Sequence, residues 1–357
     1  MSKYEINLGG RTGVSGVQGA PVEKIATRKS FGEALVKLGA KYKNVVVLDA
    51  DLSSSLQTGA FAKEFPNRHF NMGIAEQNMV ATAAGMAVRG KLPFACSFSV
   101  FSTGRAWEIV RNAVCYPNLN VKVTGSHAGV MTGEDGASHQ ALEDLAIMRV
   151  LPNMKVVCPA DHFEALSVME TLMNDYGPTY LRINRQATEV IYSGVACGDS
   201  AGEFPVEFKF GKADVLFGAE YLKGEEGVSS KACVDVCIFA IGSLVSSSLK
   251  AAQKLKEEGK KIIVVNMSSL KPLDEKTVLE CADSAKICMT AEDHSVIGGL
   301  ASAVSEVFAE NGVGKKLFKI GMLDKFGESG KSDDLYKKYG FDEEGVYESV
   351  KKALSEI

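Results

Sequence analysis

The feature that most restricts this chain is a series of short, unbroken apolar runs separated by segments of helical periodicity. VVVLD, from Val45 to Asp49, lacks polar alternation and is expected to be a strand buried on both faces of a parallel sheet. Similar runs recur at Pro93 to Ser97, Val121 to Thr124, Lys155 to Cys158 and Thr179 to Ile183. Between them, apolar residues recur at helical spacing. Phe31, Ala34, Leu35 and Leu38 share a face after a capping box of Ser30 and Glu33, and a second box of Asp161 and Glu164 precedes Ala165, Val168, Met169 and Leu172. Strands alternating with helices define an α/β fold with a mainly parallel sheet.

A second αβ unit follows. VDVCIFA, KIIVVN and AKICMT read as strands, a helix from Val245 to Glu258 separates the first two, and GLASAVSEVFAE is a helix after the third. The expected organisation is two doubly wound domains, residues 25–186 and a smaller 232–357. Residues 1–24, rich in glycine, are expected to be a flexible tail. Residues 187–231, interrupted by GDSAGEF and YLKGEEGVSSK, read as a linker with a surface insertion at 217–231. A length of 357 residues suits about two domains.

Composition excludes several classes of function. A net charge of -4 provides no basic stripe for nucleic acid. No apolar run approaches the roughly 20 residues of a spanning helix, and no signal-like segment opens the chain, so a cytoplasmic protein that does not enter membranes is expected. The eight cysteines are scattered without CxxC spacing and read as reduced thiols. Cys233 and Cys237 share a strand face but sit too far apart to share a metal, so no metal ligands are expected in this chain.

Three segments concentrate chemistry. FNMGIAEQNMVATAAGMAVRG runs from a short strand into a helix with Glu76 in its first turn, where a carboxylate suits the positive helix end as well as a chemical role. CSFSVFSTGRAWEIVRNAV places Phe98 and Phe101 just past a buried strand, where open α/β sheets carry their ligand crevice; core packing is the alternative. GSHAGVMTGEDGASHQALEDLAIMRVLPNMKV gathers His127, Glu134, Asp135, His139 and Glu143 in a loop punctuated by glycine. The two histidines lie on no shared helical face, which favours acid/base work or hydroxyl recognition over a metal.

GIAEQNM, GEDGASHQALEDLAIMRVLPNM, YLRINRQ and EDHSVIGGLASAV resemble the C-terminal section of transketolases, and the likeness covers nearly everything from Ile25 onward. Its GEDG run differs from the residues that pyruvate-dehydrogenase-type beta subunits and deoxyxylulose-phosphate synthases carry there. The resemblance implies a thiamine-diphosphate enzyme that moves two-carbon ketol units between sugar phosphates. By it, Glu76 matches the glutamate bonded to the cofactor's pyrimidine ring in a proton relay. Phe98 matches the ring that stacks on that pyrimidine, Phe101 lines its edge, and Asp51 is a cofactor-side residue at a dimer contact. Arg28, Ser55, His127 and Arg185 match residues that hold the substrate phosphate. Asp135 and His139 match residues that contact substrate hydroxyls near the reacting carbons, and His139 joins Glu76 as a catalytic candidate. Gly104 looks like an added residue, so the family's third pocket aromatic has no match, and Trp107 is expected in the helix core.

The chain contains no GDG, the motif with which this group holds magnesium and diphosphate. A separate N-terminal subunit is therefore expected to supply Mg2+ binding, in an α2β2 assembly with a second copy of this chain. The small-residue, apolar GIAEQNM and GLASAV helices are expected to close against another subunit. The alternatives are a beta subunit of a 2-oxoacid dehydrogenase and a non-catalytic subunit of the same fold.

Overall fold

Seven strands build the larger sheet of the computed structural model, which describes residues 4–6, 23–196, 206–222 and 234–356. Across that sheet the order is Ser269–Lys271, Lys155–Val157, Thr179–Ile183, Lys122–Ser126, Leu92–Phe98, Val45–Asp49 and His69–Asn71. All neighbours are parallel except the first pair. Parallel strands point the same way, so their C-terminal ends form one edge, from which Asp49, Phe98, Ser126 and Ile183 lead into the loops that follow. Every residue of Val45–Asp49, Leu92–Phe98, Lys122–Ser126 and Thr179–Ile183 is buried, which accounts for the lack of polar alternation in Val45–Asp49 and Leu92–Phe98.

A second sheet of five strands runs Asp214–Phe217, Ile262–Asn266, Val234–Ala240, Ala285–Ser295 and Leu317–Met322. The whole is a mixed α/β fold with two parallel-rich sheets. The segment expected as a linker contributes an edge strand here, since Asp214–Phe217 pairs antiparallel with Ile262–Asn266. Within the expected tail, Tyr4–Ile6 pairs antiparallel with Tyr192–Ala196. Cys233 and residues 223–231 of the expected insertion lie outside the described residues.

The two sheets are stitched together. Ser269–Lys271, from the second half of the chain, adds antiparallel to Lys155–Val157, the edge of the first sheet. Glu164, on the helix His162–Asn174, accepts from Asn266 Nδ2 at 2.9 Å across the junction. Asp161 and Glu164 satisfy the start of this helix much as their spacing suggested: Glu164 N–H donates to Asp161 Oδ1 at 2.9 Å, while Glu164 reaches back to the Ala160 amide. The other box is a correction. The helix begins at Thr27, not after Ser30, and the Thr27 hydroxyl accepts from the Asn184 amide at 2.7 Å. Ser30 Oγ is then within the first turns, bonded to His162 Nδ1 at 2.9 Å.

The helix Leu300–Glu310 also differs from expectation. Leu300, Ala301, Val304 and Phe308 pack into the chain's own core, so this apolar face is already covered. Trp107 is half-buried, packs against the same core, and donates its indole N–H to Ile147 O at 2.8 Å.

One buried charge joins these parts. Arg182, on Thr179–Ile183, donates through Nε to Asp144 Oδ2 at 2.8 Å, with both side chains almost fully out of solvent. Tyr180 donates to the same oxygen at 2.6 Å. Asp144→Ala should lower the unfolding free energy by about 3–5 kcal/mol, since it strands a guanidinium that cannot shed its proton. Chemical denaturation of the purified chain measures this, and a loss below about 1 kcal/mol would show that the pair is replaceable.

Candidate active site

Four residues expected to act together do meet at the C-terminal edge of the larger sheet. The Phe98 ring lies 4.0 Å from the His127 ring with an interplanar angle of 26°, a stacked arrangement. Phe101 is 6.3 Å from Phe98, and His139 stands edge-on to both, 6.0 Å from Phe98 and 5.4 Å from Phe101. Phe98 ends its strand, whereas Phe101 sits in a π-helical turn, Val100–Arg105. Gly104, expected as an added residue, lies within this widened turn.

Glu76 begins the helix Glu76–Val88 and is buried. Its Oε2 accepts from Arg105 Nη1 at 3.5 Å, the long limit of a hydrogen bond, so the carboxylate retains acceptor capacity. Arg105 also lies over the Phe101 ring, 5.1 Å from its centroid. Nothing in the sequence reading singled out Arg105; its place four residues after Phe101, one turn along a helix, was the available signal.

The cations gather around His127. This residue adopts a left-handed backbone (φ 59°), and its Nδ1 is 2.9 Å from Ser126 Oγ. Burial, followed by the positive charges of Arg28, Arg185 and His139, lowers its pKa from 6.5 to about 3. Arg28 is likewise pushed below its usual value, first by burial and then by Arg185. Arg28 Nη1 donates to the Ser55 carbonyl at 2.9 Å, so Ser55 is adjacent through its backbone. Arg28 Nε is buried without a hydrogen-bond partner among the described residues. Arg185 Nη1 donates to Thr132 O at 2.5 Å and lies 3.4 Å from Asp135 and 3.5 Å from Glu134. Asp51 is held differently. It is exposed, has φ 63°, and accepts from Asn71 Nδ2 at 2.8 Å on the neighbouring strand.

This arrangement has a definite chemical capacity. Two guanidiniums and a neutral imidazole converge beside aromatic rings and a buried carboxylate with room for a donor. The first group suits a tetrahedral anion, and the second suits a flat heterocycle bearing N–H groups. No group of three or more His, Cys, Asp or Glu side chains placed to hold a metal ion occurs among the described residues. No helix among them is long and apolar enough to cross a membrane.

Fold and site together are those of a two-domain α/β protein with its candidate site at the C-terminal edge of the larger sheet. Residues 23–190 match the transketolase pyrimidine-binding domain family, and residues 227–346 match the transketolase C-terminal domain family. The chain belongs to the transketolase family, whose members depend on thiamine diphosphate. It is 47% identical over 327 residues to a chain of Methanocaldococcus jannaschii assigned as a transketolase C-terminal section, spanning 92% of this chain and 96% of that one. A 6-deoxy-6-sulfo-D-fructose transketolase subunit of a Clostridium species is 36% identical, with 88% and 89% covered. A solved split-gene transketolase, described as an inactive β4 tetramer, superposes with a TM-score of 0.79 at 45% identity, covering 93% of this chain and 99% of its own.

The pKa of His127 yields a test by proton NMR. Its folded value lies below the ordinary 6.5, so the unfolded chain binds more protons between about pH 3 and 6.5. The associated stability is present above pH 6.5 and declines as pH falls toward 3. The His127 Cε1–H resonance should therefore stay flat from about pH 8 to about pH 5, and a midpoint near 6.5 would contradict the burial described.

Proposed function

We propose that this chain is the C-terminal, pyrimidine-side subunit of a thiamine-diphosphate-dependent transketolase built from two kinds of chain. The reaction is reversible transfer of a two-carbon ketol unit from a ketose phosphate to an aldose phosphate. Residues 25–186 form the pyrimidine-binding domain and 232–357 the C-terminal domain, joined by 187–231. The observation that carries the reading is the convergence of Arg28, Arg185 and neutral His127, with Arg28 Nε buried and unpartnered among the described residues, beside Phe98, Phe101 and Glu76. A phosphate oxygen would satisfy the orphan donor, and guanidinium forks match phosphate geometry. The 6-sulfo sugar named for the Clostridium relative presents a terminal tetrahedral anion too. This cationic set separates the reading from a 2-oxoacid dehydrogenase beta subunit of the same fold.

Each residue then has a task. Phe98 and Phe101 hold the aminopyrimidine, and Glu76 keeps a proton shared with its ring nitrogen. Asp51 contributes from the cofactor side of a dimer contact. When bound, the cofactor supplies the carbon nucleophile that the protein itself lacks. Arg28, Ser55, His127 and Arg185 seat the substrate phosphate. Asp135 and His139 read hydroxyls near the reacting carbons, with His139 moving a proton there. The imidazole of His139 has Nδ1 2.8 Å from Ser138 Oγ, which orients the ring.

A second chain completes the site by supplying the magnesium and diphosphate cradle, whose GDG motif is absent here. Ile74 and Val88 at either end of Glu76–Val88 are 76% and 68% exposed, apolar area that suits burial against partners in an α2β2 assembly. The solved split-gene relative, a β4 tetramer described as inactive, is consistent with a need for the other kind of chain.

Arg185→Ala, assayed in the reconstituted two-chain assembly, should raise KM for a phosphorylated aldose by about tenfold to a hundredfold, the value of a charged hydrogen bond. KM for the unphosphorylated analogue should change by less than about threefold. Equal losses on the two acceptors would show that Arg185 braces the Thr132 carbonyl and does not read phosphate.

A further inference from the structure

Residues 129–141 form a loop that closes on itself before it reaches the site. Gly129 N–H donates to Ala141 O at 2.8 Å, and a bridge joins Ala128 to Ala141. The loop carries Asp135 and His139, and through Thr132 O it holds the Arg185 guanidinium at 2.5 Å. Such a glycine-rich excursion has no rigid element of its own beyond a short turn. What fixes it comes from the other domain.

Asp293, near the end of the strand Ala285–Ser295, is 2% exposed and takes both amides at the start of this turn. Val130 N–H donates to its Oδ1 at 2.8 Å and Met131 N–H to its Oδ2 at 3.2 Å. Tyr336 donates to Oδ2 at 3.0 Å and is within 2.6 Å of Ser243 Oγ, so the carboxylate is itself held. The backbone of Asp293 is fixed as well, its carbonyl accepting from Arg182 Nη2 at 2.8 Å. Gly129 has φ +71°, and a Cβ there would stand 2.3 Å from the Asp293 carboxyl carbon. Glycine is thus required on both counts, for the backbone angle and for the close approach. Ser332 adds a further tie, donating to Met131 O at 2.9 Å, and Gln140 spans from Gly133 O to Glu328 O at 3.2 and 2.9 Å.

We propose that Asp293 is a positioning residue by which the C-terminal domain sets the loop bearing Asp135 and His139, and through Thr132 the Arg185 guanidinium. The inference rests on the ketol-transfer reading above and assigns the second domain a part in acceptor selection. A carboxylate that receives two consecutive amides sets the course of the backbone that follows them, through Met131 O, which Ser332 holds, to Thr132 O one residue on. Arg185 follows that carbonyl. Loss of the anchor should therefore appear in recognition of the substrate's anionic end before it appears in turnover.

The test uses Asp293→Asn in the assembly with its N-terminal partner. The substituted amide keeps one acceptor and turns a donor toward an amide that needs an acceptor. The ratio of KM for a phosphorylated aldose to KM for its unphosphorylated analogue should rise by about tenfold, with kcat within about threefold of wild type. Amide hydrogen exchange at residues 130–136 of the full chain should accelerate, while exchange in the strand Thr179–Ile183 stays unchanged. An unchanged KM ratio in a folded Asp293→Asn enzyme, or unaltered exchange at 130–136, overturns the inference. Should that variant fail to fold, Ser332→Ala carries the test, with a shift of about twofold to fivefold expected in the same ratio and no shift overturning it. A wild-type assembly that transfers no ketol unit overturns the reading beneath it, whereas an active wild type with an unaltered ratio in the variant overturns the positioning role alone.

Discussion

Everything else in this molecule has to accommodate the buried guanidinium of Arg182. Such a group stays charged at any ordinary pH, so its burial obliges the fold to surround it with acceptors. Asp144 takes Nε and Nη2, at 2.8 and 3.3 Å, while Nη2 also reaches Ala141 O at 3.4 Å and Asp293 O at 2.8 Å. These acceptors come from the helix after the glycine-rich loop, from the loop's closing residue and from the second domain. One side chain thereby fixes the base of the loop relative to both sheets. Three residues further along the chain stands Arg185, whose own guanidinium belongs to the candidate site.

What was readable from sequence follows from how local each determinant is. Val45–Asp49 and Thr179–Ile183 have the expected bounds because a strand buried on both faces carries no alternation to blur its ends. The Asp161 box was readable because its partners lie within four residues. Ser30 misled because its hydroxyl is bonded to His162, 132 positions away, a partner that no short window contains. Asp214–Phe217 looked like linker because its place depends on Ile262–Asn266, a pairing that no short window contains. The strand that begins at Ala285 was expected to stop at Thr290 and instead continues through Ser295, carrying Asp293 to the loop.

The site was legible as a list of side chains, and less so as an arrangement. The motifs named Phe98, Phe101, His127 and His139, and the structure brings their rings together. That Phe98 has one face covered by His127 depends on the left-handed turn at His127, which has no sequence signature of its own. The electrostatics depend on that packing as well. An anion arriving here meets Arg28 and an uncharged imidazole, and it competes with Glu134 and Asp135 for Arg185. Such competition favours a strongly charged group over a weak one.

Division of the chemistry between two kinds of chain is the central claim, and the most direct measurement is calorimetric titration with magnesium thiamine diphosphate, paired with a ketol-transfer assay. The chain is measured alone and again with a partner that carries the diphosphate-binding half. Alone, it should bind the cofactor weakly and transfer nothing, because it contributes aromatic and carboxylate groups but no cradle for the metal diphosphate. The mixture should bind tightly and transfer. Micromolar binding by the chain alone, together with ketol transfer, would contradict the division.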